Sequence, residues 1–212
     1  MDEKLYDKMN ASNMALLVID VINSCASEQC EWSELGITFS KIRKMVPKLS
    51  NFIDLFRQKV GGHIVFANTV PWKKEYLAEN INELYADPQT TYYSKDETGF
   101  SEKFYKVTPE KEDIVITKNS YDAFTNPELN KVLKEKGIKY IVVAGIFGDG
   151  CVHATIAGGF SAGYNFIILK DLIETADVPI RQELQQKLKD YTWPIMYGST
   201  LNSDDFLKSW KR

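Results

Sequence analysis

An aspartate, a lysine and a cysteine each follow a short apolar run in this sequence. Asp20 ends one run, Lys118 ends another, and Cys151 follows the run Tyr140–Ala144 across a glycine-rich turn. In such a set the acid can take a thiol proton, the cation can favour a thiolate, and the thiolate can attack a carbonyl carbon. These residue types therefore favour nucleophilic chemistry centred on Cys151.

The glycine-rich turn, Gly145–Gly150, does not fit the known phosphate or serine motifs. A phosphate loop continues with Lys and then Ser or Thr, whereas Cys151 and Val152 follow here. A dinucleotide fingerprint needs a third glycine where His153 stands, and a serine-hydrolase elbow needs glycines where Asp149 and His153 stand. The turn is instead predicted to open a helix at Cys151, and a helix N-terminus favours the thiolate.

Each of these residues also has a purely structural interpretation. A cysteine beside a strand is commonly a small buried hydrophobe, and a strand-end Asp or Lys commonly caps a turn or faces solvent. The catalytic interpretation therefore depends on the three occurring together. In a parallel α/β sheet the strand ends meet at one edge, where ligands bind.

Short apolar, β-branched runs predict the strands of such a sheet. They are nearly continuous rather than alternating, which is typical of strands covered on both faces. The predicted strands are Ala15–Ile19, His63–Ala67, Asp113–Thr117, Tyr140–Ala144, Asn165–Leu169 and Pro194–Tyr197. With helices between them, they predict an α/β fold: a three-layer, doubly wound, mostly parallel sheet of flavodoxin or Rossmann type.

Helical spacing fills the gaps between these runs. The sequence predicts three helices. They cover Val46–Val60, with Pro47 in the first turn, Asn126–Gly137, with Asn126 as the cap, and Pro179–Lys189. The whole chain, 1–212, is predicted to be one domain. Residues 71–112 interrupt the alternation of strands and helices and are polar and rich in tyrosine. This composition predicts a lid-like excursion over a site.

Composition excludes several partners. The net charge of −3 gives no reason to expect nucleic acid, and no run of about 20 apolar residues predicts a membrane span. The odd number of cysteines, three, and the charged start without a signal sequence predict a reducing, cytoplasmic location.

The motifs together resemble the isochorismatase-like cysteine hydrolases, which include nicotinamidases and N-carbamoylsarcosine amidases. The matching segments are Ala15–Asp20, Ile116–Phe124 and Val142–Val152, and the resemblance extends over nearly the whole chain. It implies a flavodoxin-like fold, a catalytic triad of Asp20, Lys118 and Cys151, and a homo-oligomer.

The resemblance further implies a cysteine-dependent hydrolase that cleaves a small amide or carbamoyl-type substrate through a thioester. It places an oxyanion hole at the amides of Phe147 and Cys151, with a cis peptide between Ile146 and Phe147. Alternatives are a non-enzymatic binding or scaffold protein of the same fold and a vinyl-ether hydrolase of isochorismatase type. Cys151 favours amide chemistry over the latter.

The chain departs from the family at three places. Gly148 stands where the family commonly has Thr, and Ile22 replaces a polar residue. The segment Ala67–Trp72 lacks the Asp-x-His ligands of nicotinamidases, so no metal and no cofactor are expected. Candidate substrate contacts are strand-end polar residues and an aromatic set: Asn23, Cys25, Asn68, Trp72, Tyr92, Phe124 and Phe147.

Overall fold

Six strands form a single sheet in the computed structural model, which describes residues 7–33, 36–71, 73–84 and 99–210. The strands are β1 (Met14–Ile19), β2 (His63–Thr69), β3 (Ile114–Lys118), β4 (Tyr140–Ile146), β5 (Asn165–Glu174) and β6 (Gly198–Leu201). Their order is β3-β2-β1-β4-β5-β6, and all five neighbouring pairs are parallel. This order is that of a doubly wound α/β sheet, so the predicted fold is confirmed.

The α-helices of the described residues lie between or after these strands. They are α1 (Asn23–Ala26), α2 (Ser40–Leu55), α3 (Glu79–Leu84), α4 (Pro127–Glu135), α5 (His153–Ser161), α6 (Pro179–Lys187), α7 (Trp193–Met196) and α8 (Ser203–Ser209). In the described part of the chain, none of these helices has the length and apolarity that crossing a bilayer requires.

Two buried clusters, one on each face of the sheet, make the three layers. Leu16 and Val18 of β1 share a cluster with residues of α2 and α8. Leu17, from the opposite face of the same strand, shares the other cluster with residues of α4 and α5. Because every residue of β1 and β4 is buried, these central strands show the continuous apolar runs from which a covered parallel sheet was predicted.

Two predicted elements are wrong in position. Pro194–Tyr197 was predicted to be a strand, but α7 ends at Met196 and the strand begins at Gly198. The apolar run is not buried: Ile195 and Met196 are 65% and 56% exposed. Pro194 instead takes the first turn of a helix, where a missing N–H costs little.

The helix predicted over Val46–Val60 begins earlier, at Ser40, so Pro47 lies inside it rather than in its first turn. The helix then widens into a single π-type turn, Phe56–Val60, that ends at Gly61 in the left-handed region. Burial of Val46, Phe52 and the other apolar residues on one face outweighs the hydrogen bond that Pro47 cannot donate.

The order in which strands are added to the sheet reverses between β1 and β4. A crevice opens there at the carboxyl ends of these strands. These two strands approach closely, since a Cβ at Gly145 would lie 2.2 Å from the Ile19 carbonyl oxygen, and Gly145 has a φ of 131°. Only glycine fits both demands. The close approach brings the residue after β1 next to the loop after β4.

Candidate active site

Asp20 and Lys118 form a buried ion pair at this crevice. Asp20 directly follows β1, and Lys118 is the last residue of β3, so the lysine side chain spans the end of β2 to reach the aspartate. Lys118 Nζ lies 2.8 Å from Asp20 Oδ2, and both side chains are at most 1% exposed. Strand ends that are distant in sequence thus place an acid and a cation in contact.

The backbone around Asp20 aims its carboxylate. Asp20 has a φ of 52°, an unusual conformation that aspartate tolerates better than most residues. Its Oδ1 accepts a hydrogen bond from the Thr69 amide at 2.7 Å. Oδ2 accepts no aligned hydrogen bond among the described residues and makes only the ion pair with Lys118. One carboxylate oxygen therefore remains able to take a proton.

Cys151 completes the cluster from the loop after β4. Its thiol lies close enough to both Asp20 and Lys118 for their charges to act on it. The loop is an irregular turn, Gly148–Val152, in which Gly150 is non-helical, and α5 begins only at His153. The sequence predicted that Cys151 opens the helix, but Cys151 lies just before it.

The electrostatics of the cluster disfavour the thiolate form of Cys151. Burial raises the pKa of Cys151 to about 12, and the Asp20 carboxylate adds to this effect while Lys118 opposes it. Burial lowers the pKa of Lys118, but the charges of Asp20 and Cys151 outweigh burial and raise it overall. Lys118 favours the thiolate as expected, but the loss of solvent and the carboxylate beside the sulfur outweigh it, because both disfavour a second negative charge.

The loop also presents backbone amides. The peptide bond between Ile146 and Phe147 is cis, as the sequence prediction placed it. The amides on either side of Cys151, those of Gly150 and Val152, both donate to the Phe147 carbonyl, at 3.0 and 3.1 Å. The Cys151 amide between them does not join that interaction.

A cavity of roughly 420 Å³ that includes open solvent gives access to the cluster. The described lining residues come from the loop after β1, the end of β2, the segment before β3 and the loop after β4. They are Asp20, Ile22, Ser24, Cys25, Thr69, Val70, Pro71, Ser101, Glu102, Phe147 and Cys151.

A family comparison agrees with this arrangement. The model of the isochorismatase domain matches residues 14–196, which include Asp20, Lys118 and the whole loop Gly148–Val152 that carries Cys151. The chain belongs to the isochorismatase family.

Relatives with assigned names and structures point the same way. The chain is 25% identical over 214 residues to the ureidoacrylate amidohydrolase RutB of Variovorax paradoxus, covering 95% of this chain and 82% of that protein. A cysteine hydrolase from Pseudomonas syringae pv. phaseolicola has the same fold, with a TM-score of 0.80, 16% identity and coverage of 95% and 94%. N-carbamoylsarcosine amidase from Thermoplasma acidophilum has a TM-score of 0.64, 22% identity and coverage of 92% and 98%.

These matches confirm the predicted membership of this family of hydrolases. They do not identify the residues that bind a substrate. Of the seven predicted substrate contacts, the structure places only some at the cavity. Cys25 and Phe147 line the cavity. Trp72 and Tyr92 lie outside the described residues.

The other three predicted substrate residues do not line the cavity. Phe124 packs against Tyr164, with ring centroids 5.4 Å apart, and lies against Gly159 of α5 in the core on the opposite face. Asn23 is buried, and its side chain donates to the Phe100 carbonyl at 2.9 Å, so it holds a loop. Asn68 is buried in β2. Position near a strand end did not determine which way each side chain points.

Ile22, which replaces a polar residue of the family, has a structural role in this protein. Ile22 is 1% exposed, pairs with Phe104 through an antiparallel bridge, and forms part of the cavity wall. His153 is structural as well, since its Nδ1 accepts a hydrogen bond from the Trp193 indole at 3.1 Å.

Helix α6 supports the cysteine loop in a way that no sequence motif indicated. Arg181 Nε and Nη2 lie 2.7 and 2.8 Å from the two carboxylate oxygens of Asp149, which also accepts from the Thr175 hydroxyl. The Arg181 guanidinium lies 4.8 Å from the centre of the Phe147 ring. One arginine thus contacts two residues of the loop that carries Cys151. The only signal in the sequence is the helical spacing of α6.

The departure at Gly148 is explained by the same helix. A Cβ at Gly148 would lie 2.0 Å from Gln185 Oε1 and 2.9 Å from Ile173 Cγ2. Gln185 is 3% exposed, and its Nε2 donates to Glu174 at 2.7 Å. The glutamine side chain occupies the space that a larger residue 148 would need.

Gly148→Ala should therefore destabilise the protein by about 1–3 kcal/mol through overpacking. In the double variant with Gln185→Ala the contact with the glutamine is absent and only the longer contact with Ile173 Cγ2 remains, so the two effects should be non-additive. Urea unfolding of the two single variants and the double variant measures this coupling. Additive losses would show that Gln185 does not determine the need for glycine at 148.

Proposed function

We propose that this protein is a cysteine-dependent amidohydrolase that cleaves a small amide or carbamoyl-type substrate through a thioester. The observation that carries the proposal is the buried Asp20–Lys118 pair in contact with the Cys151 thiol at the base of a small cavity. The amidohydrolase names of its relatives support the class of bond, a C–N bond next to a carbonyl.

The first half of the reaction begins with a neutral thiol. As the sulfur attacks the carbonyl carbon, Asp20 takes the thiol proton on its available oxygen. The oxyanion that forms is stabilised by the amides of Phe147 and Cys151. The C–N bond then breaks, Asp20 returns its proton to the leaving nitrogen, and an acyl group remains on the sulfur.

The second half repeats the same roles with water. Asp20 takes a proton from water, the hydroxide attacks the thioester, and the acid product leaves while the proton returns to sulfur. Lys118 keeps its charge throughout and balances the single negative charge that Asp20 and Cys151 share.

Pro71, Ser101 and Glu102 of the predicted excursion 71–112 line the cavity, which supports a covering role for it; Trp72 and residues 85–98 lie outside the described residues. None of the three cysteines forms a disulfide, which supports a reducing, cytoplasmic location.

A screen for released ammonia tests the proposal. Small primary amides, ureas and carbamoylated amines are incubated with the protein, together with a vinyl ether as a probe for the isochorismatase reaction. Ammonia from one amide class is the expected result. Vinyl-ether cleavage alone would replace the proposal with that reaction, and no turnover with an unreactive Cys151 would favour a scaffold.

Activity should survive dialysis against a chelator. Among the described residues no three His, Cys, Asp or Glu side chains cluster as metal ligands would, and the triad needs no Lewis acid. The measurement is ammonia release and thermal stability before and after dialysis, with metal content determined in parallel. Loss of activity that zinc or iron restores would contradict this prediction.

The protein should be a homo-oligomer in solution. An exposed apolar surface on α6, the turn after it and α7 supports this, with Ile180, Tyr191 and Ile195 each at least 65% exposed. Light scattering after size exclusion should give a multiple of 24.2 kDa, and Ile195→Glu should reduce it. A monomer in the unchanged protein would contradict the prediction.

A further inference from the structure

One wall of the cavity is a segment that the catalytic residues do not explain. Residues 100–105, which precede β3, lie antiparallel to the chain just after β1. The Ser24 amide donates to the Ser101 carbonyl at 3.0 Å, and the Asn23 amide donates to the Lys103 carbonyl at 2.9 Å. Glu102 is thus held between two anchored neighbours.

Side chains fix the same segment from below. The Asn23 side chain donates to the Phe100 carbonyl at 2.9 Å. Phe104 packs edge-on against Phe66 of β2, with ring centroids 5.3 Å apart. The position of Glu102 in the wall is therefore set by hydrogen bonds and packing on both sides of it.

Glu102 gives this wall its charge. It is partly buried and lines the cavity. Of the described lining residues only Asp20 and Glu102 carry charge, and both are acidic. Lys118 is committed to Asp20, and the flanking Lys73 and Lys103 are exposed and do not line the cavity.

We propose that Glu102 makes this site selective for neutral or cationic small amides and against amides that carry a carboxylate. The proposal rests on the amidohydrolase function proposed above and names its substrate class. An anionic substrate would lose water of hydration and meet a carboxylate that no cation among the described lining residues offsets. A cationic or hydrogen-bond-donating group would be stabilised by the same wall.

The proposal separates this chain from its named relative. Ureidoacrylate, which the RutB name specifies, carries a carboxylate. At 25% identity the two proteins can share the reaction and differ in the group that recognises the rest of the substrate. Glu102 would disfavour that acid here.

Alkylation of Cys151 tests the charge effect without requiring turnover. Iodoacetamide and iodoacetate have the same size and differ in charge, and peptide mass spectrometry at one mildly alkaline pH gives the rate of each at Cys151. The ratio of the iodoacetamide rate to the iodoacetate rate should fall at least about fivefold in Glu102→Gln. It should fall further in Glu102→Lys.

Glu83→Gln is the matched control, because Glu83 is an exposed carboxylate on α3 that does not line the cavity. Its ratio should equal that of the unchanged protein. If Glu102→Gln and Glu102→Lys both had the same ratio as the unchanged protein, the proposal would be overturned. Folding of each variant is checked by circular dichroism.

Turnover of matched amides gives a second, independent readout. β-Alaninamide, butanamide and succinamate are similar in length and carry a positive, a zero and a negative charge. The unchanged protein should release ammonia from the first two faster than from succinamate, and Glu102→Lys should reverse the order. If neither these three nor any compound of the ammonia screen is hydrolysed but the alkylation ratio shifts, the charge selection stands and the amidohydrolase proposal fails. Hydrolysis of all three at equal rates, unchanged in Glu102→Lys, overturns the charge selection alone.

Discussion

Cys151→Ala should lose turnover of any amide that the unchanged protein hydrolyses, by roughly four to six orders of magnitude. The sulfur is the atom that bonds to the carbonyl carbon in the proposed reaction, and alanine offers no replacement. Water would then have to attack the amide directly. The oxyanion donors and the bound geometry would supply only the residual rate. Ammonia release at saturating substrate measures the loss.

The control for this variant is Cys30→Ala. Cys30 is also buried and forms no disulfide, but it lies in the turn Glu28–Cys30 and does not line the cavity. This variant should retain the rate of the unchanged protein. Full activity of Cys151→Ala on a confirmed substrate would refute the thioester mechanism.

Lys118→Met should lose both activity and stability. Methionine fills a similar volume, so the main change is removal of the cation from a pair that is completely buried. Leaving one charge of a buried pair uncompensated typically costs about 3–5 kcal/mol. Turnover should fall by at least about 100-fold, because no cation then balances the charge shared by Asp20 and Cys151. Urea unfolding and ammonia release measure the two effects.

A second substitution separates these effects. In Lys118→Met/Asp20→Asn the buried charge is also removed, and asparagine tolerates the positive φ at residue 20. Stability should largely return while activity stays absent, since the base is gone. Lys187→Met, which breaks an exposed pair with Glu183 on α6, is the stability control and should have a much smaller effect. Equal losses in Lys118→Met and Lys187→Met would contradict the account.

The sequence was sufficient to predict the strands of the sheet and the residues at its carboxyl edge. Continuous apolar runs are a direct consequence of burial on both faces, so β1 and β4 were predictable from local pattern alone. The carboxyl ends of parallel strands share one edge. For that reason the contact between Asp20 and Lys118, almost a hundred residues apart, followed from topology once the strands were predicted.

Side-chain direction and electrostatics were not predictable in the same way. Phe124 and Cys25 both follow strand ends, yet one ring packs in the core on the far face while the other side chain lines the cavity. The Cys151 pKa depends on burial and on a carboxylate from a distant strand, so the local helix argument gave the wrong sign. Glu102 carries no motif, because its place in the wall comes from backbone pairing with the loop after β1.

The most direct test of the account is to trap the acyl group during turnover. An amide found by the ammonia screen is mixed with the protein, quenched in acid within the first turnover, digested and analysed by mass spectrometry. The account predicts the acyl mass on the peptide that contains Cys151, removable by hydroxylamine as a thioester should be. An acyl group on any other residue during productive turnover would contradict it.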